Sequence, residues 1–196
     1  TTDLSLIAVL EREGNLELHR VAVGEHILLG GDNMDLALAY TVTRKLAEQG
    51  TRLDPWQTRA LAHACRGAKE ALLSDSDLDS MPVVVPSRGS KLIGGSIRTE
   101  VRREELVATL VEGFFPRVAV TEMPITRARA ALTQLGLPYA QDAAVTRHLA
   151  AFLTRQLGAT SELEGFATQP EDAHFLHPTA VLLNGGVLKS GVIAER

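Results

Sequence analysis

Two glycine pairs, Gly30-Gly31 and Gly185-Gly186, each stand where a strand or loop is expected to give way to a helix. A helix N-terminus carries unpaired N–H groups and a partial positive charge. Glycine lets an anion approach the backbone, so either junction could take a phosphate. The second pair is the better candidate, because the apolar run 179–183 reads as a buried strand leading straight into it. Either pair can also serve as nothing more than a tight turn. The run GSKLIGGS at 89–96 has phosphate-loop spacing. It lacks a lysine after its second glycine and is not followed by a helix, which excludes it.

Asp32 and Asp35 open the helix that follows Gly31, where carboxylates ordinarily act as caps and dipole partners. Their alternative role is toward a nucleotide or magnesium. Asp3 sits among apolar neighbours in the first strand, an expensive place for a carboxylate without a task. His174 and His177 are three apart in a proline-flanked loop with no further ligand cluster, so they read as solvated. His63 and His148 fall on helices and read as surface or hydrogen-bonded residues. Cys65, on a helix face, reads as a small packing residue.

The elements that must position these residues follow from periodicity and punctuation. Residues 4–10 and 16–23 form a hairpin across a charged turn containing Gly14. A helix runs from Asp32 or Asn33, as its cap, to about Gln49, with Met34, Leu36, Leu38, Val42 and Leu46 as its apolar set. Gly50 closes it. Asp54-Pro55 caps a second helix to about Leu73. Residues 83–85 and 91–98 are strands around the turn Ser87-Arg88-Gly89-Ser90. Helices are expected over 102–115, 126–135, 141–157 and 187–196.

With 196 residues the chain is one domain or two small ones, and 45% hydrophobic residues suffice for a core. Aromatics are only 4%, so Leu, Val, Ile and Ala must fill that core. The net charge of −4 argues against coating nucleic acid. No apolar run approaches the roughly 20 residues of a membrane span. A single cysteine excludes an internal disulfide and a cysteine-based zinc site. No secretory signal is visible. The expectation is a soluble cytoplasmic α/β protein that binds neither nucleic acid nor membrane. Both ends read as cut: a strand starts within three residues of Thr1, and the last helix has no stop signal. The chain is therefore expected to be part of a longer protein.

Five stretches occur in an order that resembles one family. They are Thr1-Thr2-Asp3-Leu4-Ser5-Leu6, then Leu28-Leu29-Gly30-Gly31-Asp32-Asn33-Met34-Asp35, and then Ala64-Cys65-Arg66-Gly67-Ala68-Lys69-Glu70-Ala71-Leu72. Ser96-Ile97-Arg98 with Arg103-Glu104-Glu105-Leu106 follows, and Leu183-Asn184-Gly185-Gly186-Val187-Leu188-Lys189 comes last. Together they resemble the second lobe of the ATPase domain of DnaK-type heat-shock chaperones, which reads GGGTFDVSI, LGGEDFD, ACERAK, SITRARFEEL and VGGSTR. Residues 116–177 depart from the family by being longer, which points to a divergent DnaK-like protein.

The resemblance implies the actin-like ATPase (ribonuclease H-like) fold. A mixed-sheet core with flanking helices would occupy 1–29 and 102–196, and an inserted α+β outer subdomain 30–101. It implies ATP or ADP with magnesium as cofactors in the full-length protein. The first lobe of the same chain, and a triple glycine just before Thr1, would complete the site. Thr1 matches the threonine beside the phosphate loop, and Asp3 the aspartate that meets magnesium through water. Gly30 and Gly31 match the double glycine, Lys69 the lysine that reaches the nucleoside, and Gly185 and Gly186 the glycines beside nucleoside and phosphates. Arg66 stands in place of a glutamate that holds the nucleoside. Leu73 stands in place of a serine, with Ser74 adjacent. Val187 replaces a serine, and Lys189 an arginine that stacks on adenine, which lysine cannot imitate.

The implied function is a nucleotide-binding lobe of an ATP-dependent chaperone of the stress response, incomplete for catalysis by itself. Its partners would be co-chaperones or an exchange factor and unfolded clients. The alternative is a catalytically silent actin-like module used for protein interaction or regulation. A sugar or acetate kinase of the same superfamily is less favoured, because those lack the ACERAK-like helix.

Overall fold

The structure is a computed structural model that describes residues 1–87, 95–125, 140–161, 163, 165, 166, 170 and 172–196. It is mixed α/β, with two small antiparallel sheets and several helices. The described residues fall into two compact units, Thr1–Leu29 with Arg117–Leu182 and Gly30–Pro116 with Leu183–Arg196. No helix among them is long and apolar enough to cross a membrane.

In the first unit, strands β1 (Ser5–Arg12) and β2 (Asn15–Val23) pair from Ser5↔Val23 to Arg12↔Asn15. The two-residue turn Glu13-Gly14 has φ of 52° and 78°. That is the doubly left-handed geometry whose twist matches a hairpin, and it explains the glycine. A bulge between Leu6 and Ile7 shifts the register. Thr2 bridges to Ile27, and the Thr2 hydroxyl donates to Leu29 O at 2.8 Å.

The second unit is built on helices. Helix α1 (Gly31–Glu48) buries Met34, Leu38, Ala39, Val42 and Leu46, which lie on one helical stripe. It ends in a Schellman arrangement: Gly50, at φ 84°, donates to Ala47 O and Thr51 donates to Leu46 O. Helix α2 (Pro55–Ser74) starts with a reciprocal capping box, Gln57 N to Asp54 Oδ1 at 2.8 Å and Asp54 N to Gln57 Oε1 at 3.0 Å. Strands β3 (Ser80–Pro86) and β4 (Ser96–Arg102) pair antiparallel, with Val83, Val85 and Val101 buried. Pro82 and Pro86 are tolerated because β3 has one free edge.

Helix α3 begins as α over Arg103–Leu106, loosens to π over Val107–Val111 and returns to α over Glu112–Phe114. Its Leu106, Leu110, Val111 and Phe114 are buried. Arg103 ties α3 to the turn after α2, donating to Leu78 O, Leu72 O and Asp75 O at 2.8, 2.8 and 2.5 Å. Lys45 of α1 pairs with Glu105 at 2.8 Å.

Several sequence expectations need correction. Residues 179–183 are not a buried strand. No strand among the described residues pairs with them, and Leu182 is 95% exposed. An apolar run becomes a strand only where a neighbour supplies hydrogen bonds. The helix expected over 141–157 is shorter, α4 at Val145–Arg155, because the Asp142 side chain takes the Ala144 amide outside it. The last helix is a 3₁₀ turn, Val187–Lys189, and then α5, Gly191–Ala194. Buried Ser190 separates them, and its hydroxyl donates to Leu73 O at 3.3 Å. Among the described residues, 102–116 and 183–196 group with 30–101 in one compact unit. The helix expected over 126–135, most of the turn expected at 87–90 and the first half of the strand expected over 91–98 lie outside the described residues.

Candidate functional site

The beginning of α1 is set by Gly30, not by Asp32 or Asn33 as the sequence suggests. Gly30 is the extended N-cap residue, and Asn33 and Met34 direct their amides to its carbonyl at 3.1 and 3.2 Å. Asn33 reaches back instead, its Oδ1 accepting from Gly30 N at 2.8 Å. Its buried Nδ2 has no partner among the described residues. This leaves Asp32 exposed and Asp35 buried on the first turns of α1.

Helix α2 presents Arg66 and Lys69 three residues apart, so both fall on the side that meets α1. Lys69 Nζ lies 2.6 Å from Asp35 Oδ1 and donates to Gly31 O at 3.2 Å. Arg66 Nε donates to Asp35 Oδ2 at 2.9 Å, and its Nη2 to Asp32 Oδ1 at 2.5 Å. The four groups alternate in sign and sum to zero. The Asp35 hydrogen bond, followed by the Asp35 and Asp32 charges, raises the pKa of Arg66. Neighbouring Cys65 is driven up to about 12, first by burial and then by the Asp35 carboxylate. It is a protonated packing residue.

The third stretch arrives from far along the chain. A Cβ placed on Gly31 would stand 3.5 Å from Lys69 Nζ and 3.5 Å from Val187 Cγ2. Residues near 31, 69 and 187 thus share one place in the second unit. Beside it, Gly185 has φ of 113°, a value glycine alone adopts readily, while Gly186 sits at −62°. Among the described residues, a Cβ on either would meet no heavy atom within 4 Å, so their backbone borders open space there. The Lys189 side chain is exposed, without a hydrogen bond or ion pair among the described residues, and its amide donates to Gly186 O at 3.4 Å. Leu73, half-buried, contributes only its carbonyl, to Ser190, and the Ser74 hydroxyl turns back to Ala71 O.

Thr1 and Asp3 belong to the first unit. The Asp3 carboxylate is exposed, held by His26 Nδ1 at 2.6 Å and met by the Thr1 hydroxyl at 3.4 Å. The His26 hydrogen bond lowers its pKa. No group of three or more His, Cys, Asp or Glu able to hold a metal occurs among the described residues. His174 is exposed, His177 packs its ring on Phe175 at 3.8 Å between centroids, and His148 bonds the Asp142 carbonyl at 3.0 Å. His63 is exposed.

Two features escape sequence reasoning. One is Arg66 as a clamp on both aspartates, which no local spacing announces. The other is buried Asp142, whose oxygens accept from Ile125 N at 2.7 Å, Ala144 N at 2.9 Å and Arg147 at 3.2 Å. Burial pushes its pKa up, but these donors outweigh burial and leave it lowered. Its position three residues ahead of Val145 was the available signal for a residue that bonds local amides. No protein-family model matches this chain, and a search of curated proteins finds no match either.

Proposed function

We propose that this chain is the nucleotide-binding lobe of an ATP-dependent, DnaK-like molecular chaperone with the actin-like ATPase fold. What carries the reading is the meeting of three distant stretches, 30–35, 66–69 and 185–189, around Gly31. Those are stretches in which the family resemblance lies.

The residues fit a nucleotide. Gly185 and Gly186 offer backbone beside open space, as close approach of a phosphate or sugar requires. The Lys69 ammonium pairs with the Asp35 carboxylate at 2.6 Å and donates to Gly31 O at 3.2 Å. Lys189 adds an exposed cation. Magnesium is commonly held by phosphate and water with one or two carboxylates. Bound ATP supplies a phosphoanhydride. The chain's part is to place it and to balance its charge with amides and ammonium groups. Co-chaperones, an exchange factor and unfolded clients follow as proposed partners, together with a first lobe that closes the site.

Arg66 favours a second reading, the catalytically silent module, because it replaces an acceptor with a cation already satisfied by Asp32 and Asp35. A nucleotide titration of the full-length protein separates the two. The first reading expects magnesium-ATP to bind, and Gly186→Val to weaken it at least about tenfold, on the order of 1.4 kcal/mol. Since a Cβ there meets no heavy atom of the described residues within 4 Å and φ is −62°, the variant should melt like the parent. A folded Gly186→Val protein with unchanged affinity contradicts the assignment of this turn, and a parent that ignores ATP favours the silent module.

A further inference from the structure

We propose that Asn184-Gly185 is a site of spontaneous covalent modification, where the asparagine side chain loses its amide through a cyclic imide and the residue becomes aspartate or isoaspartate. This chemistry needs only water and does not depend on the nucleotide reading above.

The chain holds three asparagines, Asn15, Asn33 and Asn184. Imide formation requires the backbone nitrogen of the following residue to reach the asparagine Cγ. A side chain on that following residue stands in the way, and glycine has none. Asn15 is followed by Leu16 and Asn33 by Met34, so only Asn184 is followed by glycine. Asn33 is locked as well. It is 3% exposed, and its Oδ1 accepts from Gly30 N at 2.8 Å. The Met34 nitrogen, which would have to attack, donates to Gly30 O at 3.2 Å within α1. Asn15 is exposed, but it opens β2 in register with Arg12.

Asn184 and Gly185 have the opposite setting. Both are exposed, as is every residue from 178 to 186, and neither lies in a helix or strand. Among the described residues, no hydrogen bond holds the Asn184 side chain or the Gly185 amide. A Cβ on Gly185 would meet no heavy atom of those residues within 4 Å, so nothing there crowds the glycine. Its φ of 113° selects glycine, so the residue that permits the reaction is the one the turn demands.

The Gly185 nitrogen gives up its proton and bonds to Asn184 Cγ. The Cγ–Nδ2 bond breaks, and Nδ2 leaves as ammonia, taking up that proton. Water then opens the imide. Opening at Cγ gives aspartate. Opening at the main-chain carbonyl gives isoaspartate, whose Cβ has entered the backbone. Either product carries a negative charge at neutral pH. Isoaspartate also lengthens the chain by a methylene just ahead of the turn at Val187–Lys189.

The test incubates the folded full-length protein, its Asn184→Gln variant and a denatured sample of the parent in mildly alkaline buffer. Digestion in mildly acidic buffer, then peptide mapping by mass and retention, follows the change with time. In the folded parent, the Asn184 peptide should gain the mass difference between an amide and an acid and divide into two species of that mass. The Asn15 and Asn33 peptides should lag by at least about tenfold, since structure holds them back. Conversion should quicken as pH rises, because the attacking nitrogen must lose its proton. Asn184→Gln should stay unconverted, because glutamine would have to close a larger, slower-forming ring. A folded parent that keeps its amide overturns the proposal, whether or not the denatured sample converts. A product containing aspartate alone excludes the imide and overturns it too, as does equal conversion at all three asparagines.

Discussion

The two compact units handle polar and apolar groups in opposite ways. In the unit of Gly30–Pro116 and Leu183–Arg196, apolar side chains are inside: Leu38, Leu61, Leu106 and Leu110 are fully buried. Its buried charges, Asp35 and Lys69, work as a group with exposed Arg66. In the unit of Thr1–Leu29 and Arg117–Leu182, the hairpin exposes Ile7, Val9, Leu16 and Leu18. Its buried carboxylate, Asp142, serves only to tie Ile125, Ala144 and Arg147 together. Buried charge by itself therefore does not mark a binding site. The two carboxylates differ in their partners: Asp35 meets two cations, Arg66 and Lys69, while Asp142 meets two amides and one cation, Arg147.

The contrast can be broken most strongly by emptying the better core. Leu110→Ala removes a fully buried side chain from α3 and should destabilise its unit by about 3 kcal/mol. Denaturant unfolding followed by hydrogen exchange should show the loss among α1, α2 and α3 amides. An equal loss confined to the hairpin would mean that the units are not energetically distinct.

Asp142→Ala should cost about 2 kcal/mol, since it strands two amides and a guanidinium, and the exchange of the Ile125 and Ala144 amides should quicken. The pH dependence follows in sign. The folded pKa of Asp142 lies below its unfolded value, so its contribution is present above about pH 4 and is lost as pH falls through the folded pKa. Unfolding measured from pH 7 down to 2 should show a steeper acid loss for the parent than for Asp142→Ala. Identical profiles would remove the electrostatic account and leave Asp142 as packing alone.

The smallest effect concerns Cys65. With its thiol pushed up to about 12 by burial and Asp35, only about one part in ten thousand is thiolate at pH 8. Alkylation with iodoacetamide should be negligible in the native protein and rapid in denaturant. Prompt native labelling would mean that the contact between α1 and α2 opens readily, taking the Arg66 clamp with it.

Local chemistry was legible wherever a short stretch settles its own geometry. The hairpin turn at Glu13-Gly14, the capping box from Asp54 to Gln57 and the Schellman ending at Gly50 depend on residues a few positions apart. So does the buried stripe of α1, which periodicity alone identifies. The strand expected over 179–183 failed because apolar composition is a local property, while strand pairing needs a distant neighbour. Tertiary structure decided that Arg66 clamps two aspartates more than thirty residues earlier, that Asp142 is spent on amides, and that Gly31, Lys69 and Val187 meet. Each of those depends on how far-apart segments pack, and charge pairing acts through distance in space, which spacing along the chain does not encode.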